Sequence, residues 1–286
     1  MQGEGGVAKS QQSNEPSAQR IRAAMIDGLF KYFSTDTEKL DWFVNRQLLL
    51  TPPYYFNDPW DFAVRFEPLS DVELKEECPF SLTLNAKEFG EFRNYMTGTE
   101  FRADESRNYQ KEIGKLVGVV SLTEKPMDRL LWAHYAESHR GFLAEFRHDE
   151  EDLANGRRIR SGPFGVAAKV SYPKPPAQPP SCKRDLSNIA EVLWTKHSEW
   201  EYEQEWRVVQ SHVEATPGRA RDGGQRSFLK FEPSHLLRVI FGLRICPTVE
   251  RKLKEMLEQP EYKTVRIEKA DLDPTTRELI PRKLTN

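Results

Sequence analysis

An α+β fold is what the order of elements in this sequence predicts. Three observations carry it. About seven strand-like segments recur along the chain, helical segments fall between them at irregular intervals, and no strand–helix alternation runs long enough for a doubly wound sheet. The 286 residues read as a single α+β domain over 21–286, with a disordered tail over 1–20 where Gly, Ser, Gln, Asn and Glu dominate.

Leu29–Ser34 reads as the first strand. Thr35 with Glu38 fits a capping box that opens a helix whose buried stripe is Leu40, Phe43 and Val44. Leu48–Thr51 is a second strand, stopped by Pro52 and Pro53, and the three elements together suggest one supersecondary unit. Phe56–Asp61 is a turn by its Asn-Asp-Pro chemistry. Residues from about 70 to 116 are charged and helical, an insertion that could cover the core like a lid. Val117–Thr123 is apolar enough for a central strand. A helix over 127–137 carries Leu131 and Tyr135 on one stripe, and Gly141–Phe146 alternates as a half-buried strand. Val166–Tyr172 is another strand, followed by an extended connector over Pro173–Pro180 and a helix near 185–197. Residues 213–227, with Arg219, Arg221 and Arg226, form a basic loop, read as a solvated hairpin tip. Leu236–Phe241 is a strand and Gly242 a turn. Pro247 takes the first position of a helix with Val249, Leu253, Met256 and Leu257 inward, and Val265–Ile267 closes as a strand.

Composition narrows the function classes. With 42 Lys and Arg against 44 Asp and Glu, the net charge is -2, so the chain has no global basic footprint for nucleic acid. Cys78, Cys182 and Cys246 are far apart and offer neither metal spacing nor a disulfide framework. No apolar run approaches the roughly 20 residues of a membrane span, and the N-terminus lacks a leader's apolar stretch; a cytoplasmic protein without a membrane partner is expected. The dinucleotide glycine fingerprint, the phosphate-binding P-loop, the zincin helix and the serine-hydrolase elbow are all absent.

Four polar-aromatic clusters remain. Lys31 and Tyr32 sit on the opening strand, where such a pair serves packing and surface charge as readily as a ligand. Phe56-Asn57-Asp58-Pro59-Trp60-Asp61 can line a pocket wall, or Asn57 and Asp58 can simply cap the turn. Leu131–Phe142 gathers Trp132, His134, Tyr135 and His139 in one helix and its exit. Tyr202-Glu203-Gln204-Glu205-Trp206-Arg207 reads as a strand. Positions two apart share a face, so Glu201, Glu203 and Glu205 project one way beside Arg207, while Tyr202, Gln204 and Trp206 project the other. Such a row of acids must face water, a cation or a substrate. Lys196, His197 and Trp200 come just before it.

In this order the clusters resemble a bacterial family catalogued as a domain of unknown function. Its pattern runs Y-K-Y, F-N-D-P-x-D, L/M-W-x-H-Y-A-x-x-H-x-G-F, W-x-Y-E-x-E-W-R and a strand ending F-G. The matching residues are Phe30-Lys31-Tyr32, Phe56–Asp61, Leu131–Phe142, Trp200–Arg207 and Ile240-Phe241-Gly242, a resemblance over about 29–268, with Phe30 where the family has Tyr. More distantly, the opening strand–helix–strand is similar to the first unit of ADP-ribosyltransferases that modify DNA and RNA. Ser121 and Thr123 are similar to that superfamily's polar S-T-S position, and Glu203-Gln204-Glu205 to its E-x-E. Lys31 stands where an Arg or His normally meets the dinucleotide.

This second resemblance implies a split, mostly antiparallel sheet core with flanking helices, ADP-ribosyltransferase-like. It implies NAD-dependent ADP-ribosyl transfer or NAD glycohydrolysis, in bacterial conflict or phage defence, with NAD or a related nucleotide and an acceptor macromolecule as partners. Glu205 would stabilise the oxocarbenium-like transition state, and Glu203 would orient the attacking group or take its proton. Lys31, Tyr32, Asn57, Asp58, Ser121, Trp132, His134, Tyr135 and Arg207 would hold the dinucleotide, with Tyr32, Trp132 or Tyr135 stacking and Lys31 or Arg207 neutralising a phosphate. No metal ligand is assigned. Three rivals stay open: a metal-dependent nuclease using Asp58, Asp61, Glu145 and Glu205, a glycosidase using Glu203 and Glu205, and a scaffold or sensor module whose Glu row bridges to Lys31 and Arg140.

Overall fold

The computed structural model describes residues 28–147, 159–160, 166–174, 181–182 and 189–284. The tail expected over 1–20 and residues 175–180 of the expected connector lie outside them. In chain order the elements are β1 (Gly28–Phe33), α1 (Thr37–Val44), β2 (Gln47–Leu49), β3 (Arg65–Phe66), α2 (Asp71–Glu77), α3 (Ala86–Met96), α4 (Thr99–Leu116), β4 (Val117–Thr123) and α5 (Arg129–Tyr135). Then come β5 (Phe142–Arg147), β6 (Ile159–Arg160), β7 (Val166–Lys169), β8 (Ser181–Cys182), α6 (Ile189–Trp194), β9 (Glu205–Ser211), β10 (Thr216–Arg219) and β11 (Gln225–Lys230). The chain finishes with β12 (Leu236–Phe241), α7 (Pro247–Leu257), β13 (Arg266–Leu272) and β14 (Leu279–Lys283).

Nine strands form one sheet in the order β14-β13-β12-β5-β1-β4-β9-β7-β6. Every neighbouring pair is antiparallel except β12 with β13, so the fold is α+β with a large, mostly antiparallel sheet. The pairings are uneven. β4 and β9 stay in register over seven positions, from Val117 opposite Ser211 to Thr123 opposite Glu205. By contrast, β1 meets β4 at one position only, Phe30 opposite Thr123. Beyond that point the two strands part, and the Lys31 ammonium donates to the Ser121 carbonyl across the gap at 3.3 Å.

Alternation along the strands loads both faces. In β1, Leu29 and Phe33 join a core with Leu40 and Phe43 of α1 and with Val249, Leu253, Met256 and Leu257 of α7. Phe30 joins a separate cluster with Trp132 and Leu143 on the opposite face. A third cluster packs Phe62, Val64 and Phe66 against Tyr109 and Ile113 of α4 and Val119 of β4. Phe33 stacks on Phe142 with ring centroids 4.5 Å apart. Because helices lie on both faces, Phe142 to Phe146 are all buried; the alternation expected of a half-buried strand is replaced by burial on both sides.

Several local expectations are corrected. Helix α1 is capped by Asp36, whose carboxylate accepts from the amides of Glu38 and Lys39 at 2.9 and 3.2 Å, rather than by Thr35 and Glu38 as a capping box. The Thr35 amide instead donates to Glu137 at 3.1 Å. β2 does not join β1; it pairs with β11 of a separate three-stranded sheet, β10-β11-β2. The segment 213–227, expected as a loop at a hairpin tip, is mostly strand: β10 pairs with β11 from Thr216 opposite Phe228 to Arg219 opposite Gln225, and only the turn between them is a tip. Residues 71–116 form three α-helices, as the charged insertion suggested.

The turn after α5 departs most from ordinary backbone. Glu137, Ser138 and His139 have φ of 48°, 53° and 69° in succession, a left-handed run that disfavours L-residues by roughly 1–2 kcal/mol each. It is tied down by the amide of Ser138 to the Ala133 carbonyl (3.0 Å), Gly141 to Ala136 (2.9 Å) and Arg244 to His139 (3.0 Å). His139 lies flat against Trp132, centroids 5.9 Å apart. A Cβ at position 141 would sit 1.8 Å from the Phe33 carbonyl oxygen, so only glycine lets the turn dock on β1. A Cβ at position 90, in exposed α3, would meet nothing within 4 Å. In urea denaturation, Gly141→Ala is expected to lower stability by about 2 kcal/mol or more, whereas Gly90→Ala is expected to raise it by up to ~1 kcal/mol.

Candidate functional site

The acid-rich stretch does not run as one strand. Ser198–Glu203 is a 3-10 helix, Gln204 takes a left-handed conformation (φ 44°, ψ 52°), and β9 starts only at Glu205. The expected row of three acids is therefore broken. Glu201 turns outward to pair with Lys174, while Glu203 and Glu205 are buried. Both reach the same cation. The Lys196 ammonium donates to Glu203 Oε2 at 2.7 Å and to Glu205 Oε2 at 3.2 Å. Lys196 is held there because its amide bonds to Ser171 O at 3.0 Å, next to the bridge between Ser171 and Thr195.

Behind Glu205 lies Arg207, with no exposed surface. Its Nε donates to Glu205 Oε1 at 2.9 Å, its NH1 to the Leu193 carbonyl at 2.9 Å, and its NH2 to both Asp61 oxygens at 2.8 and 2.7 Å. The guanidinium also packs 4.5 Å from the centre of the Phe62 ring. Asp61, from the turn after β2, is thereby tied to the late strand, and Lys196 lies 3.7 Å from its Oδ2. Three acids and two cations form one buried chain, Asp61–Arg207–Glu205–Lys196–Glu203, with Tyr135 at its end: the phenol donates to Glu203 Oε1 at 2.6 Å.

Electrostatics follow from this geometry. Burial raises the Glu205 carboxyl, but Arg207 and Lys196 outweigh it and hold the group down at about 2. Burial pushes Asp61 up to about 6, against the pull of Arg207. Lys196 is raised: burial opposes its charge, and Glu205, Asp61 and Glu203 more than restore it. Tyr135 is raised by burial and by the adjacent Glu203 charge, so it stays a hydrogen-bond donor. By linkage the two acids act in opposite senses. Lowering Glu205 from 4.5 adds stability above that pH, lost as pH falls toward 2. Raising Asp61 from 3.8 costs stability above pH 6, and that cost is relieved as pH falls toward 3.8.

The Glu205–Lys196–Glu203 end of this chain, with Tyr135, forms one wall of a cleft at the seam where β1 leaves β4. The cleft encloses about 110 Å³, and Lys31, Tyr32, Asn57, Ser121, Tyr135, Glu203 and Glu205 all line it. Seven of the residues singled out in the sequence thus converge. Lys31 is half-buried and has no carboxylate partner within ion-pair reach among the described residues. Burial, with the Lys39 charge, pushes its ammonium down to about 8 against the pull of Glu205.

Four expected site residues are placed elsewhere. Arg207 spends its guanidinium on Asp61, Glu205 and Leu193 and cannot meet a phosphate. Asp58 caps its own turn, accepting from the Trp60 amide at 2.9 Å. Trp132 is fully buried, donates to the Pro126 carbonyl at 2.9 Å and backs the Tyr32 ring edge-on at 5.3 Å. His134 is exposed on α5 and lies outside the cleft.

Lys196 and Asp61, which the sequence offers only as a neighbour of the acid strand and as a rival metal ligand, are central members of the ion chain. Their signal was present in the sequence: a lysine seven residues ahead of Glu203, and an acid closing the Asn-Asp-Pro turn. The scaffold reading named the wrong cations, since Arg140 pairs with Glu137 and Lys31 with no acid among the described residues. The nuclease set does not assemble either. Glu145 is held by Arg238 and Arg266 at 2.7 and 3.3 Å, and no group of three metal-binding side chains occurs among the described residues. Among those residues, too, no helix is long and apolar enough to cross a membrane.

Residues 131–208 match the family model of DUF2971, a protein family of unknown function. No curated protein and no solved structure matches the chain. The DUF2971 segment runs from α5 into β9 and so contains Tyr135, Lys196, Glu203, Glu205 and Arg207. It is narrower than the resemblance drawn over about 29–268. Lys31, Tyr32, Asn57, Asp61 and Ser121, which complete the cleft and the ion chain, come from outside it.

Removing one member of the ion chain leaves others buried and unpaired. Arg207→Ala is expected to cost about 3–5 kcal/mol in denaturant unfolding. Tyr135→Phe, which removes only a hydroxyl at the cleft wall, is expected to cost about 1–2 kcal/mol.

Proposed function

We propose that the protein breaks the N-glycosidic bond of NAD and passes the ADP-ribosyl unit to an acceptor or to water. The observation that carries this reading is the pair Glu203 and Glu205, fixed by shared ion pairs in the wall of a small cleft that also holds Tyr32 and Tyr135. At about 110 Å³ the cleft has room for one heteroaromatic ring and its sugar carbon, well below the ~300–1,000 Å³ of a site that engulfs a whole ligand. Only the reacting end of a dinucleotide would enter.

The bond between the nicotinamide nitrogen and ribose C1′ breaks with its electron pair leaving on nicotinamide, which departs neutral. The positive charge passes to C1′ and the ring oxygen. Glu205, held low by Arg207 and Lys196, stays ionised beside that charge and lowers the barrier by acting mainly in the transition state. An acceptor hydroxyl or water then attacks C1′ and gives its proton to Glu203, which returns it to solvent. Tyr135 and Lys196 orient Glu203 for this step. Tyr32 faces the ring, and Lys31, free of a carboxylate partner among the described residues, is the cation for a phosphate.

A second reading is favoured by the ion chain itself. Buried networks of this kind also occur as purely structural devices, and a non-catalytic module would use Asp61, Arg207, Glu205, Lys196 and Glu203 to lock the early turn onto β9.

Nicotinamide release from NAD separates the two. The wild type is expected to release it, and Glu203→Gln to lower the rate by about 10²–10³ while the variant stays folded, with a smaller loss of Tm than Arg207→Ala, since Lys196 keeps Glu205 and Asp61 and the amide oxygen still accepts from Tyr135 or Lys196. No release, together with no Tm shift on adding NAD, overturns the transferase reading and leaves the structural one. Lys31 sets the pH dependence. Its ammonium is charged below about pH 8, so KM for NAD is expected to rise as pH increases through that value; in Lys31→Arg the rise is expected to vanish.

A further inference from the structure

A second space adjoins the cleft, and it is the larger of the two. It encloses about 630 Å³ between the turn after β2 and helix α4, and it shares Phe56 and Asn57 with the cleft. The turn is pinned to α4 by Gln110 Nε2 donating to the Asp61 carbonyl at 3.0 Å and by the Val64 amide donating to Ser106 Oγ at 3.3 Å. Because Asp61 is also bound to Arg207, the groove and the cleft are built on one rigid support.

Two features of the groove lack an internal explanation. Arg102 lines it, its Nε is buried, and no described residue hydrogen-bonds or ion-pairs with its guanidinium. A buried guanidinium nitrogen without an acceptor is costly, and an anion entering the groove would relieve that cost. The other feature is Trp60, which lines the same groove with 70% of its surface exposed; Tyr54, also in the lining, is 41% exposed. A large flat ring left open in the same groove as a cation with no acid partner among the described residues is what an aromatic, anionic ligand needs: stacking for the ring and a planar fork for the phosphate. The volume lies within the range of small-molecule sites. Arg107 adds little to the charge, being paired with Asp104.

We propose that this groove is a nucleotide subsite, in which Arg102 binds a phosphate and Trp60 stacks on the base. Its position beside the cleft gives it two sources of ligand with the same chemistry: the adenylate half of a dinucleotide whose other end enters the cleft, or a nucleotide of a single-stranded nucleic-acid acceptor. The subsite does not rest on the transferase reading, because its binding is measurable without any reaction.

The test is titration calorimetry of the full chain with AMP and with adenosine. AMP is expected to bind the wild type. Arg102→Gln is expected to weaken AMP by about ten- to a hundredfold, the loss of a charge-assisted contact, and to leave adenosine unchanged. Trp60→Ala is expected to weaken both. Because the Arg102 guanidinium makes no hydrogen bond or ion pair with a described residue, and Gln keeps part of the stem, the variant is expected to fold; an unchanged Tm checks that. Displacement of AMP by NAD but not by a single-stranded oligonucleotide supports the subsite and assigns it to the dinucleotide, and the reverse supports it and assigns it to the acceptor. Absence of AMP binding, or AMP affinity unchanged in Arg102→Gln, overturns the subsite, whatever the outcome of the nicotinamide assay.

Discussion

Arg207 is the group on which the rest of the structure depends. A fully buried guanidinium is tolerable only if its charge and its N–H groups are met, and here Asp61, Glu205 and the Leu193 carbonyl meet them. Those three partners come from a turn near residue 60, from β9 itself and from α6. Satisfying one cation therefore fixes three distant segments. Lys196 extends the same logic from Glu205 to Glu203, and Tyr135 carries it to α5. Any shift of the turn would leave buried charge exposed to an apolar medium, which makes the arrangement stiff in the sense that a site requires.

The sheet supplies the opening. β1 and β4 pair at a single position, and the space they leave is where Ser121, Lys31 and the two acids come together. The small cleft and the larger groove beside it divide the labour that a bound dinucleotide or a tethered acceptor would demand. Carboxylates and a phenol sit in the confined part. A guanidinium with no acid partner among the described residues and an open indole sit in the roomier part. The insertion over 71–116 matters through α4, which forms the far wall of the groove and buries Tyr109 and Ile113 beneath it.

Much of this was legible in the sequence. The apolar run of β4, the stripe of α7 beneath Pro247 and the charged helices of the insertion each follow from local pattern. Seven of the singled-out residues line the cleft, while Asp58, Trp132 and Arg207 from the same clusters serve capping, packing and ion pairing. What misled was the acid row. A period of two assumes continuous extended backbone, and the left-handed turn at Gln204 breaks it, sending Glu201 to solvent and Glu203 inward. Arg207 differs for another reason: its burial depends on what packs against β9, and the Asp61 that meets it is 146 residues away, in a turn. Single-position pairing of β1 with β4, strands of two residues such as β3, and the separate sheet of β2 have no periodic signature at all. The family match, confined to 131–208, captures the late half of the site and leaves the early half to be found by folding.

A double-mutant cycle on unfolding free energy tests the central constraint most directly. Asp61→Asn, Arg207→Gln and the double variant are compared with the wild type. If one buried ion pair locks the early turn to β9, the two changes are strongly non-additive, with a coupling of about 2–3 kcal/mol. Additivity within ~0.5 kcal/mol would mean that Asp61 and Arg207 do not support each other, and the common foundation of cleft and groove would be gone.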